Sequence, residues 1–347
     1  MPPAGLDALQ IGLVLIGSLL GNRTQSSRWV RYAFFTLLAV GSIYIGYTGI
    51  NMLSPNMAKT PAFSLGNRHA LAITYCSAAV ASGILLMPGA RRLFVRLSGW
   101  RMDTPERIFG AWLFAVMFLI NACMILQFSP YFITIFTIGL DSSYRVINTV
   151  VQPLSYTLIA LIGAGIYFRR SPGETWQRLG LLRRETQEGE TADENAELVH
   201  DLAERAGAVL LMVGGSLALG TLGVLVVKRY AYGLYAPLLF SLGNMLPAPH
   251  GGVLAIVAMA IGIGFLVGVG EELLFRGLLQ PSFGLIPTAL LFTVLHGQYG
   301  LSPALGFVFL QGLGYGWLRK RYNTWVSLIA HVMYTTVAII VWWTILR

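Results

Sequence analysis

Long apolar runs, interrupted by short polar or basic turns, recur along almost the whole chain. They predict ten membrane spans, near 6–21, 32–53, 70–87, 108–128, 150–168, 206–227, 251–276, 283–297, 302–318 and 325–346. The first and eighth are short for a bilayer that asks for about 20 residues. The stretch 129–149 carries Asp141 and Arg145 and predicts an interfacial loop. One sizeable polar segment, 169–205, opens basic, passes through Trp176-Gln177-Arg178-Leu179-Gly180-Leu181 and turns acidic from Glu185 to Glu204. Thr191 with Glu194 resembles a capping box, and Ala196, Val199, Leu202, Ala203 and Ala206 keep helical spacing, so an amphipathic helix leads into the sixth span. The segment reads as a solvated connector, with a substrate dock or a gate as the functional alternatives. It divides the chain into 1–168, five spans, and 206–347, five more.

Composition fixes the class. Hydrophobic residues make up 55% of the 347, charged residues 11%, and the mean hydropathy is +0.66. A soluble domain needs no such apolar surface, so the expectation is an all-α, polytopic transmembrane helix bundle in contact with the lipid bilayer. The runs are too long and continuous for a β-barrel. A net charge of +9 is no sign of nucleic acid, because the arginines sit between spans rather than on one patch. With the N-terminus outside, basic residues favour the inner segments by about three to one, which predicts the sidedness. Cys76 and Cys123 fall inside apolar runs and read as packing residues. Residues 6–21 lack a basic n-region and a small-residue cleavage site, and read as a retained span.

Against this background Gly270-Glu271-Glu272-Leu273-Leu274-Phe275-Arg276-Gly277 stands out. Of fifteen acidic residues, only Glu271 and Glu272 lie beyond Glu204, at the end of an apolar run from Gly251. A charge at the centre of a membrane helix costs about 2.5–3.5 kcal/mol, so acids kept there usually serve function. At i and i+4, Glu272 and Arg276 can pair, which leaves Glu271 free on another face. A charged helix end at the headgroup level is the bland alternative. Nearby glycines four apart, Gly264 with Gly268 and Gly312 with Gly316, predict close helix packing around the pair.

Of five histidines only His296 and His331 sit in apolar segments. Counting about 1.5 Å per residue from the helix ends places Glu271, His296, His331 and Thr335 within a slab of roughly 8 Å near the bilayer centre. They can meet. Carboxylate plus imidazole activates water; a second imidazole stabilises an oxyanion or completes a metal site, with zinc and the ligands Glu271, His296 and His331 as the candidate. This chemistry requires the bundle to enclose a polar intramembrane cavity. Walker A, G-x-S-x-G and H-E-x-x-H sequences are absent from the chain.

These residues resemble the CPBP intramembrane endopeptidases, which include type II CAAX prenyl proteases and bacterial Abi proteins. The family pattern E-E-x-x-x-R, F-x-x-x-H, H-x-x-x-N is met by Glu271-Glu272 with Arg276, by Phe292 with His296, and by His331. Thr335 stands where the family has Asn. Trp176 to Leu181 is similar to a W-x-x-L-G-L stretch upstream in such proteins. The resemblance implies a C-terminal CPBP-like domain that hydrolyses a peptide bond in a membrane-bound or lipidated substrate. It implies Glu271 and His296 as water activators, His331 and Thr335 facing the oxyanion, and Glu272 and Arg276 as structural support. A metalloprotease and a metal-free glutamate hydrolase both remain open. A multi-pass protein of a bacterial inner membrane, with its cavity facing the cytoplasm, is the implied setting. Two rivals stand beside it: a non-catalytic scaffold or immunity-type protein, which Thr335 favours, and a proton-coupled transporter. The transporter lacks the internal repeat that such folds show.

Overall fold

A computed structural model describes residues 27–55, 65–138, 147–167, 169–182, 194–233 and 252–341, with scattered positions from 12 to 23 and residues 235 and 343. Among these, secondary structure is helical apart from one isolated bridge between Ile166 and Arg170. The helices are α1 (Arg28–Asn51), α2 (Leu65–Leu86), α3 (Pro88–Ser98), α4 (Pro105–Ile138), α5 (Gln152–Ala164), α6 (Pro172–Arg178), α7 (Glu194–Tyr230), α8 (Val253–Glu271), α9 (Gln280–Phe283), α10 (Leu285–Val294), α11 (Pro303–Arg321) and α12 (Thr324–Val341). A π-helical segment, Glu272–Leu279, joins α8 to α9, and a 3-10 turn, Gly297–Tyr299, follows α10.

Among the described residues six helices are long and apolar enough to cross a membrane: Arg28–Asn51, Arg68–Leu86, Pro105–Gln127, His200–Tyr230, Val253–Phe283 and Thr324–Val341. The expected ten is not confirmed among the described residues. The span predicted at 150–168 is a helix that stops at Ala164, and the one at 283–297 is the ten-residue α10. The one at 302–318 forms α11, but its basic last turn, Arg319-Lys320-Arg321, and internal polar groups keep it outside the six. The run 6–21 lies largely outside the described residues. The loop expected at 129–149 is also revised: α4 continues to Ile138, because Asp141 and Arg145 lie beyond the apolar run that ends there.

Local signals set several ends. Ser27 caps α1 by accepting from the Trp29 N–H at 3.2 Å. Pro88 opens α3, and Gly99, at φ 69°, closes it in the left-handed region. Ser171 and Glu174 form a capping box on α6. The packing follows the small residues. At Gly268 an added Cβ would lie 2.6 Å from the Val332 side chain, so α8 and α12 run in near contact. α4 lies against α10 and the turn after it, and Trp100, Phe114 and Phe283 meet there with ring centroids 4.5–5.5 Å apart. One buried apolar cluster therefore runs from Leu85, Ile108 and Phe114 to Leu273, Phe275 and Phe292.

Candidate active site

The polar centre begins where α8 gives way to the π segment. A π-turn widens the helix and is common at functional sites. Here the change falls between Glu271 and Glu272. Glu272 is fully buried and Arg276 is 1% exposed, which makes every partner of these charges matter. Arg276 Nη1 lies 3.1 Å from Glu272 Oε1, the pairing that the i, i+4 spacing predicts. Its Nη2 donates to the Gly312 carbonyl at 3.3 Å, and its guanidinium stands over the Phe292 ring, 4.4 Å from the centroid.

Glu272 is held from α12 as well. His331 Nδ1 lies 2.8 Å from Oε1, and the Ser327 hydroxyl donates to Oε2, with the Tyr315 carbonyl 3.0 Å away as its other acceptor. An ionised carboxylate only accepts, so His331 carries its proton on Nδ1. Its Nε2 then faces Glu271 Oε2 at 3.8 Å. The Tyr315 ring stacks on the imidazole at 4.6 Å and fixes its plane. Glu271 differs from its neighbour: its side chain is 13% exposed, and Oε2 is a buried oxygen with no hydrogen-bond partner among the described residues.

His296 is placed otherwise than expected. α10 stops at Val294, and His296 stands just past its end, as the residue that opens the 3-10 turn. Nδ1 lies 2.7 Å from the Phe292 carbonyl, which can only accept, so in the neutral ring the proton sits on Nδ1 and Nε2 carries the lone pair, with no partner among the described residues. Irregular backbone in a membrane is tolerated where it is buried in protein or lines a water-filled space. Phe292 connects the two histidines, with ring centroids 4.5 Å from His296 and 6.2 Å from His331. Thr335 lies half-buried on α12 one turn beyond His331, and its hydroxyl makes no hydrogen bond among the described residues. The Tyr334 hydroxyl is turned toward Gly220 on α7.

The chemistry of the donor set tests the zinc expectation. A zinc centre takes three or four protein ligands around one point. Among the described residues no three His, Cys, Asp or Glu side chains form such a group. As they stand, the described side chains hold no three-ligand group for a metal.

Ser327, Tyr315 and the carbonyl of Gly312 were not singled out from sequence. Ser327 had a usable signal, since it precedes His331 by four residues on the same helical face. The carbonyl contact of Gly312 had none.

The fold and this centre define an integral membrane helix bundle with a buried acid, arginine and histidine cluster. Residues 253–337 match the family model described as type II CAAX prenyl endopeptidase Rce1-like, and over that stretch the CPBP resemblance holds. The chain is also 42% identical over 72 residues to YpbD of Bacillus subtilis (strain 168), a protein described as uncharacterized. That match covers 19% of this chain and 36% of YpbD, so it spans about a third of the relative's length. No solved structure matches.

Proposed function

We propose that this chain is a metal-free intramembrane endopeptidase that hydrolyses a peptide bond of a membrane-associated or lipidated protein. The observation that carries the reading is the contrast within the acidic pair: Glu272 is saturated by Arg276, His331 and Ser327, while Glu271 keeps an unpartnered oxygen. The match of residues 253–337 to a prenyl endopeptidase family supports the reaction class.

In this reading water enters beside Glu271 Oε2 and the bare Nε2 of His296. As its oxygen bonds to the substrate carbonyl carbon, Glu271 accepts the proton and His296 orients the water. Glu271 then passes the proton to the leaving nitrogen as the C–N bond breaks. In its doubly protonated form His331, with Nδ1–H held by Glu272 and its plane fixed by the Tyr315 ring, donates Nε2–H to the developing oxyanion, and the Thr335 hydroxyl adds a donor one turn away. The site opens to the cytoplasm, as the basic residues suggest.

The test is cleavage of a membrane-peptide library by the purified protein, with Glu271→Gln as control. Products made by wild type and not by the variant support the reading. Equal products from both remove Glu271 from the chemistry. Persistent inactivity of wild type favours the scaffold, the reading to which threonine at 335 points.

A further inference from the structure

A strap from the polar connector grips both halves of the Glu272–His331 contact. Leu179 is fully buried, 145 residues before its partner Thr324. The Thr324 hydroxyl donates to the Leu179 carbonyl at 2.6 Å, and the Thr324 N–H donates to the Gly180 carbonyl at 3.0 Å. Thr324 is the first residue of α12 and is fully buried. Ser327 and His331 follow at i+3 and i+7, so all three share one helical face. A pull on Thr324 is therefore transmitted along that face to both groups that bind Glu272.

The same strap reaches the π segment. Arg178 Nη1 donates to the Gly277 carbonyl at 3.3 Å. The Leu179 side chain sits where Gly277 has no Cβ, and an added one would lie 3.0 Å from Leu179 Cδ2. Gly277 follows Glu272 by five residues, one hydrogen-bonded turn of a π-helix. Gly180 shapes the grip: it adopts φ +74°, and a Cβ there would stand 2.8 Å from the Thr324 hydroxyl. Glu204 on α7 also accepts from Arg321 and Tyr322 at 2.9 and 2.8 Å, so the α11–α12 turn is tied to a second part of the polar connector.

We propose that Trp176–Leu181 is a positioning clamp: through Thr324 and Gly277 it sets the spacing between α12 and the π segment, and so whether His331 and Ser327 reach Glu272. Leu179, Gly180 and Thr324 touch no reacting atom and act through His331. The polar segment is then more than a tether, because anything that shifts the strap shifts the site. The role in catalysis rests on the protease reading; the mechanical coupling does not.

Thr324→Val removes the hydroxyl and keeps the shape, Thr324→Ser keeps the hydroxyl, and Gly180→Ala forces strain and a clash. Two readouts are taken on the full-length protein: kcat against KM on a cleaved membrane peptide, and amide hydrogen exchange along α8 and α12. Thr324→Val and Gly180→Ala are expected to lower kcat by about 10–100-fold, the range for misplaced catalytic groups, with KM nearly unchanged. Exchange should rise over residues 324–331 and not in α8, and Thr324→Ser should behave as wild type. Wild-type exchange in both damaging variants overturns the clamp. So does a uniform rise through α8 and α12 with lower thermal stability, since that marks a merely structural contact. If wild type cleaves nothing, the protease reading fails, and the exchange pattern alone decides the clamp.

Discussion

His331 meets both acids of the pair through different nitrogens, Nδ1 at 2.8 Å from Glu272 and Nε2 at 3.8 Å from Glu271. The two carboxylates are adjacent in sequence yet unequal in surroundings. One is a fixed anchor; the other retains an open oxygen. This inequality governs what substitution should do to each.

Glu271→Gln and His296→Ala should abolish hydrolysis; Glu271→Gln should leave thermal stability near wild type, because Oε2 has no hydrogen-bond partner among the described residues, while His296→Ala also loses the Nδ1 bond to the Phe292 carbonyl. Glu272→Gln and Arg276→Ala should destabilise by about 3–5 kcal/mol, since each leaves a buried charge without its counter-charge. Thermal unfolding and peptide cleavage measured on the same preparations separate the two classes. A Glu271→Gln protein that unfolds, or that cleaves normally, would falsify the division.

Ser327→Ala should cost about 1–3 kcal/mol, the penalty for leaving a buried acceptor short of a donor. Activity should fall too, because Glu272 then anchors His331 with one restraint fewer. Loss of stability without any change in kcat would remove Ser327 from the support of the site.

Much of this centre was legible from spacing. The i, i+4 relation gave the Glu272–Arg276 pair, and depth counting set His331 level with the acids it contacts. What was hidden has physical causes. The apolar run through His296 carries no mark of the break after Val294, since Leu295 is as apolar as the helix before it. The π segment uses ordinary helix formers, and only its hydrogen-bond pattern sets it apart. The Leu179–Thr324 contact joins distant parts of the chain through backbone carbonyls, which every residue has. Ten spans are not confirmed, because apolar length alone does not separate a long crossing helix from a short apolar one such as α10.

Sidedness can be checked on α7 and α11. Glu204, near the start of α7, pairs with Arg321 at the end of α11, while Tyr230 ends α7 about 39 Å away, beyond the roughly 30 Å of the hydrocarbon core. With the half-buried Cys76 and Cys123 replaced, Lys320→Cys should be labelled from the cytoplasm and Tyr230→Cys from the other face. Labelling of both from one side would mean that α7 does not cross, and would undo the cytoplasmic opening assigned to the site.

Chelators should leave cleavage unchanged, and added zinc should not raise it, because the described side chains do not assemble three ligands. Activity lost on chelation and restored by zinc would show that Glu271, His296 and His331 rearrange into a metal centre when the ion binds.

Thr335 offers the finest test of the oxyanion assignment. The hydroxyl is unengaged among the described residues and stands one turn beyond His331 on α12, so it can donate toward the position that His331 Nε2 faces. Its neighbours point elsewhere: Thr336 lies 3.4 Å from the Ala260 carbonyl, and Tyr334 is turned to α7. Removing one oxyanion donor typically costs about 10²–10³ in turnover. Thr335→Val keeps the branched shape and loses the donor, so kcat should fall on that scale with KM and thermal stability little changed. Thr335→Asn restores an N–H donor on a longer side chain and should keep or raise activity. A silent Thr335→Val would assign the oxyanion to His331 alone. A silent valine variant together with an inactive asparagine variant would show that position 335 is limited by space, and that threonine is there because it fits.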